Sequence, residues 1–260
     1  MQEPTTPRRL ADRRVRQERT AHIYDSHVEP INRLVDRIAE REGCGPLPYA
    51  DPLSGGIHAE VLFVLRAPEA DADPDRTGTR FLSLDNDDRV AALQFATFEE
   101  VGLPRMRTAG WNLCPFPLAN PGSAPTEAEV ARAIPYHREL LSMLPNLKCV
   151  VLFGAAPRKQ WPRRLHRDIP TIVGASPGWP GISHPENRRS YDAAVVSAAR
   201  TIGIDAVVPD RSASARRTRE AEKRPAVPVV PAGPRAERGD RVCRGCWTLL
   251  PSTGVCDTCR

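Results

Sequence analysis

Four cysteines near the C-terminus carry the most specific chemistry in this 260-residue chain. Cys243-Arg-Gly-Cys246 and Cys256-Asp-Thr-Cys259 are two Cys-x-x-Cys knuckles with nine residues between them. Knuckles paired in this way let four thiolates converge on one tetrahedral zinc ion. The metal then replaces a core that so short a segment cannot build. Trp247, Leu249 and Leu250 would cover one side of the hairpin. Two disulfides or a redox pair are the other readings. An intracellular setting disfavours the first, and a redox pair needs no duplicate. The expectation is a structural zinc ribbon over residues 239–260, open to either nucleic acid or a protein partner. Cys44, Cys114 and Cys149 are scattered and cannot ligate a four-cysteine iron–sulfur cluster, so none is expected. Cys149 falls in a strand pattern and reads as core.

A second set of polar residues is spread through the middle of the chain. Arg66, Glu69, Asp71 and Asp73 follow one apolar run, and Phe81 and Asn86 lie in a turn-rich segment. Asn112 closes another run, while Ser176 and His184 sit in a stretch rich in Pro and Gly. Each group follows a segment that reads as a strand. Their chemistry depends on whether one sheet edge gathers them.

The elements that would do so alternate. Strands are expected at 60–65, 107–112, 149–153 and 171–174 from short runs of branched and aromatic residues bounded by turn signals. A helix over 30–43 follows from Pro30 in a first turn with Ile31, Leu34, Val35 and Ile38 at i, i+3, i+4 and i+7. Further helices are expected at 88–101, stopped by Gly102, and at 187–202. Thr126 and Glu129 match a capping box opening a helix to about residue 144, with Pro135 as a kink or boundary. This order predicts an α/β fold, a three-layer αβα sandwich around a mostly parallel sheet of four strands. Open sheets of this kind bind ligands at the carboxyl ends of their strands. Residues 65–69, 78–88, 112–117 and 176–185 all fall there.

In order and wording these four segments resemble the uracil-DNA glycosylase superfamily, over residues 24–203. The resemblance is closest to a bacterial branch in which a helix precedes the sheet and the first strand ends in Leu-Glu-Ala-Pro-Gly. Here that element reads Leu65-Arg66-Ala67-Pro68-Glu69. The branch's Gly…Phe loop and Asp-Asn-Asp element match Gly78, Phe81 and Asp85-Asn86-Asp87. Its Trp-Asn strand end followed by prolines matches Trp111-Asn112, Pro115 and Pro117, and its third strand ends in Gly, as at Gly154. The resemblance implies a base-flipping enzyme of DNA repair, which draws a nucleotide out of the stack before its glycosidic bond is reached. Phe81 then stacks on the base and Asn112 offers a donor and an acceptor to the uracil edge. Ala67, Pro68 and Asn86 complete the expected binding set.

The chain departs from the pattern twice. Arg66 stands in place of the acid and cannot act as a base, because it stays protonated. A guanidinium can instead grip a phosphate or stabilise a uracil anion. Glu69, Asp71 and Asp73 are close enough to supply a substitute carboxylate, or are exposed loop charges. Ser176-Pro177-Gly178 occupies the place of His-Pro-Ser, and His184-Pro185 follows eight residues later. Arg66, Glu69, Ser176 and His184 are therefore the catalytic candidates. The alternative function is a catalytically impaired nucleic-acid-binding module that keeps the fold. Trp111 and Trp161 read as packing, Trp179 as a loop tip able to meet DNA, and His137 and His166 as surface residues.

Charge divides unevenly. Of the net +5, residues 1–20 carry six Arg against three acids, and residues 211–238 carry eight Lys/Arg against three Glu. Residues 239–260 add +1, leaving −4 over the central 190 residues. Basic flanks suit nucleic acid, since each neutralised phosphate releases counterions, and they also suit plain solvation. The expected organisation is a basic flexible arm (1–20), an α/β domain (21–208), a basic Pro/Ala-rich linker (209–238) and the ribbon. The 27 prolines agree with such irregular flanks. No run of 18 apolar residues and no secretory signal is visible, so a cytoplasmic protein without a membrane partner is expected.

Overall fold

Four parallel strands in the order β4-β2-β5-β6 form the centre of the molecule. They are β2 (Val61–Leu65), β4 (Thr108–Asn112), β5 (Cys149–Phe153) and β6 (Thr171–Gly174). The structure is a computed structural model and describes residues 5–68 and 80–209. The linker, the ribbon cysteines Cys243, Cys246, Cys256 and Cys259, and residues 69–79 with Glu69, Asp71, Asp73 and Gly78 lie outside the described residues.

The sheet is apolar on both faces, as a parallel sheet wrapped by crossover helices must be. Leu62, Val64, Ala109, Trp111, Val150 and Leu152 pack with α2 (Glu29–Glu42) and α4 (Glu127–Ser142). Val61, Phe63, Val151 and Phe153 pack on the other face with α3 (Arg89–Val101) and α6 (Pro185–Thr201). The alternation follows from side chains pointing to opposite faces at successive strand positions. In α2, Ile31, Leu34, Val35 and Ile38 are all buried, as their spacing required. The Thr126–Glu129 capping box is present at the start of α4. Pro135 does not break that helix. It lies on the exposed face, where water reaches the Ala131 carbonyl that loses its intrahelical partner.

At the amino edge of the sheet, Glu60 accepts from Arg107 and pairs with Lys148 at 2.6 Å, so the starts of β2, β4 and β5 share one carboxylate. Those hydrogen bonds lower its pKa to about 2. A short parallel pair, β1 (Tyr49–Ala50) with β3 (Phe81–Leu82), stands beside β4, and a one-and-a-half-turn helix, α5 (Ala155–Gln160), follows β5. Neither is visible in the sequence pattern, because two residues have no period and α5 is too short to show one.

The basic arm expected over residues 1–20 is helical from Arg9 onward. Arg9–Ala11 forms a 3-10 turn and α1 covers Arg13–Ala21, with Asp12 as its N-cap. Leu10 and Arg19 are buried. A charge run conceals this, because the residue that docks the helix is itself an arginine. No helix among the described residues is long and apolar enough to cross a membrane.

Candidate functional site

The strand order fixes where a crevice must open. The chain runs from β2 outward to β4, returns to β5 on the other side of β2, and continues to β6. Connections therefore diverge at the carboxyl ends of β2 and β5, which is the switch point where such sheets take ligands. The residues leaving these ends are Arg66-Ala67-Pro68 after β2 and Gly154 after β5.

Asn112 is the last residue of β4 and pairs in register with Leu65. It shares a sheet face with Leu65, Phe63 and Gly110, since Ala109 and Trp111 point the other way. The residue is 2% exposed, yet its side-chain amide makes no hydrogen bond among the described residues. Nor is the amide sealed off: among the described residues the enclosed side-chain atoms without a partner are Arg80 Nε, Asn86 Oδ1, Gln160 Oε1 and the Tyr191 hydroxyl, and neither Asn112 amide atom is one of them.

The strand end carrying Asn112 is held from both sides. Leu113 N–H donates to the Leu65 carbonyl at 2.8 Å and Cys114 N–H to the Arg66 carbonyl at 3.0 Å, so the β2–β4 ladder continues past both strands. Behind it, Trp111 Nε1–H donates to His137 Nδ1 at 3.1 Å, and His137 Nε2 meets the Leu113 carbonyl at 2.9 Å. Indole can only donate, so the proton of the neutral imidazole must lie on Nε2. Burial lowers the pKa of His137 to about 4, against a smaller opposing effect from the Leu113 hydrogen bond. A parallel pair lies beside it: Trp161 donates to His166 Nε2 at 2.7 Å, and burial lowers the pKa of His166 too. Both histidines thus lie inside, not on the surface. His137 continues the buried stripe Val130, Ala133 and Leu140 at i, i+3, i+7 and i+10, so the signal was present in the sequence.

The other candidates can be placed one by one. Arg66 donates from Nη1 to the Ser123 carbonyl at 3.0 Å, tying the loop after β4 to the end of β2. Ala67 is buried in the α2/α4 core and Pro68 is half-buried. Phe81 is 1% exposed, so a base could stack on its ring only by displacing what covers it. Its neighbour Leu82 packs over Gly110, two residues before Asn112 on the same face. Asn86 donates from Nδ2 to the Phe81 carbonyl at 2.9 Å and anchors its own turn. Asp85, in the matched Asp-Asn-Asp element, is buried between Arg19 and Arg105.

On the far side, Ser176 lies against Gly154, where an added Cβ would come within 3.2 Å of its own Cβ. Gly154 has φ 90, so no other residue type fits there without strain. The Ser176 hydroxyl accepts from Gly178 N–H at 3.2 Å. His184 is the exposed N-terminal flanking residue of α6, and its side chain makes no capping bond. Between these two, Trp179 is 59% exposed, with the Arg89 guanidinium 5.6 Å from its ring centre. The first turn of α3 therefore meets the loop after β6, a contact no sequence pattern signals.

The structure thus brings Arg66 and Asn112 to one part of the carboxyl edge, sets the 81–86 turn against Gly110 and Arg105 along the flank of β4, and puts Ser176, Trp179 and His184 in the loop after β6. The buried carboxylates among the described residues are all engaged. Asp51 and Asp85 bind arginines, Glu129 accepts from Thr126 and Ala119, and Asp192 pairs with Arg188. Cys114 and Cys149 are core thiols whose pKa burial raises to about 12, and such thiols are inert. No group of three or more His, Cys, Asp or Glu among the described residues is placed to hold a metal ion. Neither a protein-family model nor a curated protein matches this chain.

Proposed function

We propose that the α/β domain takes an extruded nucleobase of DNA into the crevice at the carboxyl end of β2, against Asn112 at the end of the neighbouring β4, and hydrolyses its N-glycosidic bond. The reading assigns uracil or another damaged base as substrate and DNA base-excision repair as the process. The observation that carries it is Asn112, a largely buried amide at the strand end that has no partner among the described residues. One carboxamide offers a donor and an acceptor side by side, the complement of the imide edge of uracil. An extruded base would satisfy both.

The remaining parts take roles by position. Trp179 and Arg89 offer an exposed ring and a cation to the strand from which the base is drawn. Arg66, at the end of β2, serves as the fixed positive charge for the departing base anion or an adjacent phosphate. Groups placed in this way are worth about 3–4 kcal/mol of barrier. In the hydrolysis, water adds its hydroxyl to C1′ as the bond to the base breaks, and the remaining proton ends on the base. The carboxylate that orients this water comes from Glu69, Asp71 or Asp73. His184 and Ser176 are the candidates for contact with the leaving base from the opposite loop. Four C-terminal thiolates, Cys243, Cys246, Cys256 and Cys259, hold structural zinc and extend the contact to nucleic acid or to a protein partner. The protein acts in the cytoplasm, near the nucleoid.

A second reading is a base-binding module without hydrolysis. It is favoured by Arg66 in the acid's place and by His184 on the exposed start of α6.

Single- and double-stranded oligonucleotides carrying uracil, hypoxanthine or xanthine, followed by alkali, separate the two. Strand breaks at the modified base are expected, and Asn112→Asp should remove them. Intact strands on every substrate, with binding retained, overturn hydrolysis and leave the second reading. Arg66→Glu then reports on the cation: lost activity assigns the guanidinium a role, whereas a gain marks a missing acid.

A further inference from the structure

We propose that helix α1 and the turn before it form a fixed docking surface for the nucleic-acid backbone, set against the 83–89 segment by a buried ion network; the choice of nucleic acid rests on the function proposed above. The arginines of the first twenty residues divide into two groups. Arg19 is 3% exposed and bridges two carboxylates, with Nη1 at 2.5 Å from Asp51 Oδ1 and Nη2 at 3.1 Å from Asp85 Oδ2. Arg105 completes the network at 2.8 Å from Asp85. Arg16 donates to the carbonyls of Leu10 and Ala11 and fastens the preceding turn onto the helix. Leu10 N–H donates to the Asp85 carbonyl at 2.9 Å, so side chain and backbone grip the same residue.

The other four, Arg8, Arg9, Arg13 and Arg14, are exposed. Arg9, Arg13 and Arg14 have no carboxylate partner among the described residues, and Arg8 has one at 3.8 Å, Asp87. Asp12 is occupied as the N-cap, accepting from Arg14 N–H at 2.8 Å. This cluster sits on a body whose central 190 residues sum to −4, so the positive charge is local rather than general.

A helix that merely solubilises needs no buried anchor. Burying four charges adds little net stability, and what it does add is position. The position is informative. Asp85 anchors α1, Arg8 meets Asp87, and Arg89 faces Trp179, so one short segment joins the arginine cluster to the loop of the proposed site. Phosphates on either side of an extruded base need such charges at fixed places, and a helix already docked loses no freedom when they arrive.

The test is the salt dependence of binding by the full-length protein to a fluorescent oligonucleotide, with and without uracil. Wild type is compared with R8Q/R9Q/R13Q/R14Q and with the same four positions changed to Lys. The Gln variant should lower the slope of log affinity against log salt by about 3, and the Lys variant should restore it. An unchanged slope in the Gln variant overturns the proposal. Equally tight binding of polyglutamate of matched charge also overturns it, in favour of an acidic protein partner. Preference for uracil over thymine reports separately on Asn112. If that preference is missing while the slope difference persists, the base reading falls and the helix surface stands.

Discussion

Asn112 and His137 are both buried and polar, and they show opposite solutions. His137 uses both ring nitrogens, one accepting from Trp111 and one donating to Leu113. Asn112, one residue beyond Trp111, uses none. The first is structural support and the second is open capacity. Asn112→Leu should therefore change stability by less than about 1 kcal/mol in urea denaturation, since no protein hydrogen bond among the described residues is lost, while base discrimination disappears. A larger stability loss would show that the amide is satisfied in solution. For His137 the pH effect has a definite sign. Its folded pKa, about 4, lies below the ordinary histidine value, so the unfolded chain binds the proton more readily. Its contribution is complete above about pH 6.5 and is lost as pH falls from there towards 4, amounting to about 3 kcal/mol. Urea midpoints over this range should fall with acidification, and His137→Gln should flatten the trend by about one proton.

Among the elements, α1 and the strand ends depend most on side chains distant in sequence. Arg19 reaches 32 residues to Asp51 and 66 to Asp85. Arg19→Met leaves Asp51 buried without its cation, a change that costs about 3–5 kcal/mol. The expected readout is twofold: a lower denaturation midpoint, and rapid tryptic cleavage after Arg13 and Arg14 while the rest of the domain persists. Resistance equal to wild type would mean that Leu10 alone holds the helix. The carboxyl end of β4 is similarly composite, since the end of β2 and helix α4 each contribute a contact.

At the scale of the whole molecule, the charge distribution separates a mildly acidic domain from basic flanks. Four cysteines in paired knuckles have the spacing to hold one metal ion, as proposed above. Purified full-length protein should contain one zinc per chain, and Cys243→Ser should abolish it without altering the denaturation of the α/β domain. Deleting residues 211–260 should further flatten the salt dependence of DNA binding, because eight Lys/Arg are removed with three Glu from 211–238 alone. An unchanged slope would confine the interface to the domain.

Local sequence was sufficient for whatever repeats with a period. Val61–Leu65 and Cys149–Phe153 are continuous apolar runs, and α2 has its stripe, so four strands, four helices and their alternation could be read before any contact was known. The knuckle spacing belongs to the same class, because ligand geometry is local. Tertiary structure alone decided what depends on distant partners. It fixed the strand order that opens the crevice at β2, and the docking of an arginine-rich segment through Asp51 and Asp85. It also turned His137 from a surface residue into a buried support for Trp111. Charged and polar side chains take their roles from partners that the fold delivers, and composition assigns them to solvent by default. Asn112 shows the same limit in reverse: its place at a strand end was legible, but its lack of a partner was visible only once the fold surrounded it.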